Sequence, residues 1–371
     1  MATTDYGVNH ALAVKIWTKR LLREALKETH CGRFMGTSTN SLIQVKSELR
    51  KQAGDRIRVG LRMQLSGDGV QGDDTLEGNE EALTTYSDDI FVDQLRHAVR
   101  SGGRMSDQRV PFSVREEALD GLRDWWADRL DESFFNQIAG NTGQTDTKRT
   151  GNQTALAPSS GLQLFGNADM TTEASLTAST AGSSFQLTML DDAVAIAKVN
   201  SPVIRPVRVG GRSVYVAFLH PYQVLDLRRN TNNGQWMDIQ KSAMMGGQIT
   251  SNPLFTGAVG MYNGVIIHED ARIPRAGSGS KTDLGSAVTY KDVCRGIFLG
   301  AQSGCVAFGR SYGMTGSNVK YKWTEVLNDY ENQLGVSAAL VYGCKKTVFD
   351  GKDFGTLALS SVSTGEATTI G

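Results

Sequence analysis

An α+β fold, with a helix-and-strand scaffold interrupted by a second lobe, is what this sequence predicts. Three observations carry the prediction. Residues Arg56 to Leu65 alternate strictly, with Ile57, Val59, Leu61, Met63 and Leu65 on one side and Arg56, Arg58, Arg62 and Gln64 on the other. Residues Ser113 to about Ala139 carry the spacing of a long amphipathic helix. From residue 201 onward short strands and short helices alternate, and the long apolar run Leu334–Val348 follows them.

Taken in chain order, residues 9–31 read as an amphipathic helix, with Leu12, Ile16, Leu21, Leu22, Ala25 and Leu26 opposite Lys15, Lys19, Arg23 and Lys27. Residues 32–55 read as an extended polar link. The alternating strand, about 33 Å long, follows, and a second strand-like run returns through Tyr86, Asp88, Ile90, Phe91, Val92 and Leu95. Beyond Gly102 and Gly103, Ser113 is a good N-cap with Glu116 three residues on, the spacing of a capping box. Ala118, Leu122, Trp125, Trp126, Leu130, Phe134 and Ile138 form the apolar stripe of a helix roughly 40 Å long, and the tryptophans read as core. Residues 141–184, rich in Gly, Thr, Ser and Ala, are either a mobile surface loop or an arm ordered by its neighbours. Then come a helix (187–199), a strand (212–219), a helix (221–229) and strands at 265–268, 297–300 and 306–308. The apolar strand 334–348 is the one candidate long enough to run beside the long helix.

Between the two hairpin strands, Ser66 to Ala82 holds four glycines and six carboxylates: Asp68, Asp73, Asp74, Glu77, Glu80 and Glu81. From Met63 to Leu95 there are nine acidic side chains and no Lys or Arg. Packing such a tip on the chain's own core would bury unpaired charge, so it is expected to project into solvent or onto a basic partner. Residues 1–58 hold eleven Lys/Arg against five Asp/Glu. Two solvated faces of opposite sign are one reading. The other is that Asp73, Asp74, Glu77, Glu80 and Glu81 of one copy meet Lys15, Lys19, Arg20, Arg23 and Lys27 of another, with Arg96, Arg100, Arg104 and Arg109 as competing receivers. Complementary potentials of this kind steer association and set register.

Lys+Arg and Asp+Glu are equal at 39 each, which argues against a dedicated nucleic-acid or membrane binder. No apolar run approaches the roughly 20 residues of a membrane span, and the first residues lack the basic start and apolar segment of a signal peptide. The scattered cysteines Cys31, Cys294, Cys305 and Cys344 read as buried free thiols of a reducing cytosol. Gly67-Asp68-Gly69-Val70-Gln71-Gly72 fits a dinucleotide fingerprint, but no helix is expected after it and Asp73 and Asp74 would repel a pyrophosphate. Gly279-Ser280-Lys281-Thr282 lacks the glycine that a phosphate loop places before its lysine. The histidines show no zinc-binding spacing, and no nucleophile elbow is present. No catalytic residue, cofactor site or metal ligand is assigned.

Several long tracts, in fixed order, resemble the major capsid proteins of the N-four-like podovirus family. They include RFMGTSTNSLIQVKSEL, AGDRIRVGLRMQL, LEGNEE and DQLRHAVRSGGRMSDQR, then YVAFLHPYQVLDLRRNTNNGQWMDIQKSA from Tyr215, NPLFTGAVGMYNGVIIHEDARIP and LGVSAALVYGCKKTVFDGKDFGTLAL. The resemblance runs roughly from Ala13 to Leu359 and is weakest over 141–186. It implies a Hong Kong 97-type capsid fold: an N-terminal arm (1–52), an extended β-hairpin or E-loop (53–98) and a peripheral domain (99–200) with a spine helix (113–139) and a Gly/Ser/Thr-rich loop (141–186). An axial domain (201–325) and a closing peripheral strand with the C-terminal tail (326–371) complete it.

The implied function is structural: copies self-assemble into hexamers and pentamers of an icosahedral shell around the double-stranded DNA genome of a tailed bacteriophage. The shell forms in the host cytoplasm, without a membrane and with room for separate scaffold, decoration and portal proteins. An encapsulin-like nanocompartment is the alternative, and a soluble enzyme a more distant one. DNA contact is expected to be non-specific, since 113–139 carries Arg115, Arg123 and Arg129 against seven acids. No lysine lies between Lys51 and Lys148, so the hairpin lacks the amine needed for the isopeptide cross-links of some relatives of this fold. No built-in scaffolding segment is expected upstream of the hairpin.

Overall fold

The acidic hairpin and the long helix are both present in the computed structural model. It describes residues 29–50, 54–63, 65–110, 112–166, 170–176, 183–209, 211–229, 258–276, 281–285, 293–309, 313–315 and 318–363. The expected helix at 9–31 falls almost wholly outside them. The first half of the chain holds β1 (Met35–Gly36), β2 (Ile43–Lys46), β3 (Arg56–Arg62), β4 (Thr85–Phe91), β5 (Asp93–Arg100), α1 (Arg104–Gln108), α2 (Val114–Ile138), β6 (Gln163–Phe165) and α3 (Leu187–Val199). Next come β7 (Val207–Val209), β8 (Arg212–Leu219), α4 (Pro221–Arg229), β9 (Ala258–Tyr262), β10 (Val265–Glu269), β11 (Val293–Leu299) and β12 (Gly304–Phe308). The chain closes with β13 (Gly313–Thr315), β14 (Asn318–Lys320), β15 (Lys322–Asn328), β16 (Gln333–Lys346), β17 (Val348–Phe349), β18 (Lys352–Asp353) and β19 (Thr356–Val362).

The chain divides into two compact units. The larger comprises 29–95, 128–321 and 340–371. Its main sheet has the order β6-β19-β11-β8-β10-β9, with β7 added on β8. β8 is buried on both faces from Val214 to Leu219, which is why it reads as a continuous apolar run. Its Tyr215, Ala217 and Leu219 pack with Leu190, Ala193, Val194 and Ala197 of α3 and with Val224 and Leu227 of α4. Phe218, on the opposite face, meets Phe34 and Phe135 edge to face.

Residues 32–55 do not form the extended link expected of them. Cys31–Phe34 is a 3-10 turn, and β2 pairs in parallel with β12, Ile43 opposite Gly304 and Val45 opposite Val306. Leu42 and Ile43 are buried, an apolar gain that a free polar linker would forgo. The return strand of the hairpin is also not continuous. It breaks at Val92, after which β5 leaves β3 and pairs with β16. The expected strand at 334–348 ends at Lys346, one residue past which Thr347 N–H still donates to Ser303 O (3.1 Å) in the register of the Gly304↔Lys346 pair.

α2 starts at the expected N-cap, with Glu116 N–H donating to Ser113 Oγ (3.4 Å), but the reciprocal half of the expected capping box, Ser113 N–H to the Glu116 carboxylate, is not formed. It ends in a Schellman motif: Gly140 takes φ +65°, its N–H reaches Gln137 O (3.1 Å), and Asn141 N–H reaches Asn136 O (2.9 Å). In its second half polar residues are buried too, among them Asp131, Glu132, Asn136 and Gln137. Gln137 Nε2 donates to Thr150 O (2.6 Å) and Gln153 O (2.9 Å), and Asn136 Nδ2 to Arg149 O (3.0 Å). These amides satisfy loop carbonyls that would otherwise be buried unpaired. The Gly/Ser/Thr-rich segment is therefore seated on the helix at 149–153, and β6 joins β19 further on.

At the start of the described chain, His30 N–H and Cys31 N–H donate to Asp131 (2.7 and 3.0 Å), and His30 Nδ1 lies 2.8 Å from Asp270. Arg272 pairs with Asp131 (2.6 Å) and Asp270 (3.0 Å). Burial pushes the Asp270 carboxyl up, but the His30 contact and the Arg272 guanidinium more than offset it and hold the group at about 2. Burial raises Asp131, in the opposite sense. With an unfolded-state pKa near 3.9, the Asp270 contribution is fully present above about pH 4 and is lost as pH falls towards 2; it amounts to about 2 kcal/mol. Asp270→Asn should therefore lower the unfolding temperature near neutrality and flatten the acid limb. Melting curves at a series of pH values check this, and the two proteins should converge near the acid end.

The smaller unit comprises 1–28, 96–127 and 322–339, described from residue 96. Here β15 and β16 form a hairpin in register from Lys322↔Ala339 to Asn328↔Gln333. Arg115 makes a two-pronged contact with Glu325 (2.6–3.0 Å), and Arg123 lies over Trp323 at 5.9 Å. Trp126 is fully buried, while Trp125 is half-buried and stacks on His97 at 4.4 Å.

Candidate functional site

The hairpin is built from the period-two pattern outward. β3 and β4 are paired from Arg56↔Phe91 to Arg62↔Thr85 without a bulge. Ile57 and Ile90 face each other and bury against Leu49, Cys305 and Ala307, with Val59 and Val92 alongside. On the other face Arg58 grips Asp89 with two bonds (2.7 and 2.9 Å), and that hydrogen-bonded guanidinium holds Asp89 below the usual carboxylate range. Arg56 lies over the Phe91 ring at 4.2 Å. Lys345 pairs with Asp88 and donates to Asp89 O (3.0 Å), which ties the root to β16. At Gly343 the backbone of β16 runs so close to Phe91 O that no side chain fits.

Beyond the root, every described side chain from Leu65 to Thr85 is exposed except Val70. The tip is closed by Glu81, which accepts N–H bonds from Ser66 (2.8 Å) and Gly67 (2.7 Å). Those bonds pull its carboxyl below the ordinary value. Glu80 accepts from Gly78 N–H (2.7 Å). Asp68, Asp73, Asp74 and Glu77 face solvent, and among the described residues no cation pairs with them. Leu65, Leu76 and Leu83 are 56%, 61% and 61% exposed beside them. The glycine-rich stretch at 67–72 is part of this exposed tip and is followed by turns and then β4, not by a helix.

Of the expected receivers, Lys15, Lys19, Arg20, Arg23 and Lys27 lie outside the described residues. Arg96, Arg100, Arg104 and Arg109 are exposed, and Arg104 stands 3.9 Å from Glu331. All four cysteines are buried and none is in a disulfide among the described residues; burial raises Cys31 and Cys305 and pushes Cys344 up to about 12, the opposite of an activated nucleophile. Among the described residues no group of three His, Cys, Asp or Glu could hold a metal ion, and no helix is long and apolar enough to cross a membrane.

Sequence reasoning missed the clamps at the root. Lys345-Lys346 inside an apolar strand was the signal for one of them, since a lysine drawn into a core demands a carboxylate: Asp88 meets Lys345 at the root, while Asp353 meets the buried Lys346 elsewhere.

The phage capsid protein family matches residues 5–364, nearly the whole chain. This chain belongs to that family. The capsid protein is 31% identical to the major capsid protein of Pseudomonas phage KPP25, over 92% of this chain and 93% of that protein. The capsid of Ralstonia phage GP4 superposes with a TM-score of 0.81 at 30% identity, covering 98% of this chain and 99% of that one. The capsid asymmetric unit of cyanophage Pam1 has a TM-score of 0.73 at 20% identity, covering 98% and 100%, and speaks to the fold alone. The function is that of a major capsid protein of a bacteriophage, a structural shell component.

Proposed function

We propose that the capsid protein forms an icosahedral shell in the Hong Kong 97-type manner, from hexamers and pentamers. Its arm (1–52) and E-loop (53–98) would reach to neighbours, its peripheral domain (99–200 and 326–371) would carry the spine helix, and its axial domain (201–325) would sit at the capsomer centre. The N-four-like resemblance supports the same reading, with double-stranded DNA inside, weak non-specific DNA contact, assembly in the host cytoplasm, and scaffold, decoration and portal proteins supplied separately. The observation that carries it is the hairpin: a root clamped into a core and a long tip that touches no core of its own. A second copy covering the tip would add stability to such a shape, which would link shell and fold stability.

The tip's carboxylates are the element tested. Exposed pairs contribute about 0–1 kcal/mol each and are screened within roughly 8–10 Å at physiological salt, but each contact recurs at every interface. Glu81 closes the tip, so the informative reversal leaves it alone. Asp73→Lys, Asp74→Lys and Glu77→Lys together should cut shell yield while leaving the subunit's unfolding temperature unchanged. Electron microscopy and sedimentation measure the yield; normal shells from the triple variant would show that the tip is only a solvated loop.

A further inference from the structure

Two arginines share one concavity in the larger unit. A cleft of about 590 Å³ is lined by Thr39, Asn40, Arg205, Pro206, Arg208 and Ala301, a volume within the roughly 300–1,000 Å³ of binding pockets. Ile204 and Val207 are buried, so Arg205 and Arg208 are turned outward, and both are exposed. The backbone carrying them is held on several sides. Asn40 clamps the Arg208 peptide, accepting from its N–H and donating to its O (2.8 Å each). Ala301 N–H donates to Arg205 O (2.7 Å). Arg205 Nη2 donates to Gln302 Oε1 (2.9 Å) and Thr39 O (3.3 Å), neither of which neutralises it.

Most described arginines of the larger unit with buried or semi-buried heads have carboxylate partners: Arg129, Arg149, Arg272 and Arg295. Among the described residues, Arg205 and Arg208 have none within ion-pair distance. Two uncompensated guanidinium groups in a concave site, that of Arg205 held by Gln302 and Thr39 and that of Arg208 carried on a clamped backbone, select carboxylate or phosphate oxygens.

We infer that this cleft receives the acidic hairpin tip of a second copy of the chain. The inference rests on the proposed shell reading and names the receiving surface within it. Charge complementarity selects the occupant: Asp68, Asp73, Asp74 and Glu77 are exposed without a described cation, in a stretch from Met63 to Leu95 that holds no Lys or Arg. The chain's own tip is in solvent, so the occupant comes from another copy.

The test uses the full chain under conditions where it forms shells. R205E/R208E should reduce shell yield about threefold to tenfold, the effect of one or two screened pairs acting at each interface. R205Q/R208Q should have a smaller effect; both variants lose the Arg205 bonds to Gln302 and Thr39 alike, so a yield difference between them beyond any difference in melting temperature reports docking rather than folding. Combining R205E/R208E with the Asp73, Asp74 and Glu77 reversals should restore at least part of the yield. Carbodiimide treatment of R208K shells should join position 208 of one copy to Asp73, Asp74 or Glu77 of another, read by peptide mass spectrometry.

If the tip reversals impair assembly while R205E/R208E assembles normally and no such link forms, the cleft is not the receiver and the shell reading stands. If the tip reversals themselves assemble normally, the shell reading of the hairpin fails. Normal assembly of R205E/R208E with loss of retained DNA would assign the cleft to nucleic-acid phosphates and overturn the inference. A link from position 208 to a carboxylate outside the tip would overturn it too.

Discussion

Gly343→Ala should release the hairpin root from β16 and leave subunits that do not build shells. A Cβ at this position would stand 1.7 Å from Phe91 O and 2.8 Å from the Phe91 carbonyl carbon. Both are backbone atoms, so no rotamer change relieves the clash. The strand or the root must move by more than an ångström. Movement of the root disturbs the Val92 N–H bond to Asp55 O (2.9 Å), and movement of β16 disturbs the Cys344 N–H bond to Gly151 O (3.0 Å). Overpacking typically costs about 1–3 kcal/mol, and contact with backbone places this site at the upper end. Hydrogen exchange should rise at residues 88–92 and shell yield should collapse. Gly121→Ala is the control: it sits in α2 with nothing within 4 Å of the added Cβ. Helix propensity predicts that it stabilises by about 0.5–1 kcal/mol. Unchanged melting and exchange in Gly343→Ala would refute the close-approach argument.

Arg295→Met is expected to be the most destabilising single change in the main sheet of the larger unit. Arg295 is 8% exposed in β11. Its guanidinium binds Glu173 through Nε (2.7 Å) and Nη2 (2.5 Å), and its Nη1 caps the end of α2 at Ala139 O (3.1 Å) and Gly140 O (2.8 Å). Methionine fills similar space but leaves Glu173 buried without its cation and two helix-end carbonyls without a donor. Removing one partner of a buried pair costs about 3–5 kcal/mol. The double variant Arg295→Met with Glu173→Gln should recover part of that loss, because the remaining side chain is neutral and can still use Ser360 Oγ and Gln163 Nε2. Denaturant unfolding of the two single variants and the double closes the cycle. A loss of under about 1 kcal/mol in Arg295→Met would show that the pair is structurally incidental.

Much of the architecture was legible in the chain. Strict alternation predicted β3, which ends at Arg62 instead of running to Leu65, the Ser113–Glu116 spacing predicted the start of α2, and α3, β8 and α4 stand at the predicted residues. Each of those signals is local, resting on a period of two or 3.6 or on a cap within four residues. The tip's exposure followed from charge alone, because no pattern of burial accommodates so many carboxylates without a cation.

The sequence by itself determined the hairpin, the long helix and, through several long tracts, the capsid family. Only the tertiary structure decided which partners these elements take. It placed β2 in a sheet, turned β5 away from β3 onto β16, and made Glu81 the clasp of the tip rather than a free charge. It also supplied the sites that single variants should break, Gly343 against Phe91 and Arg295 against Glu173. The physical reason is range. A period or a cap is satisfied by neighbours within a turn, whereas Arg295 finds Glu173 across 122 residues, and no local pattern encodes which distant carboxylate a buried guanidinium will meet.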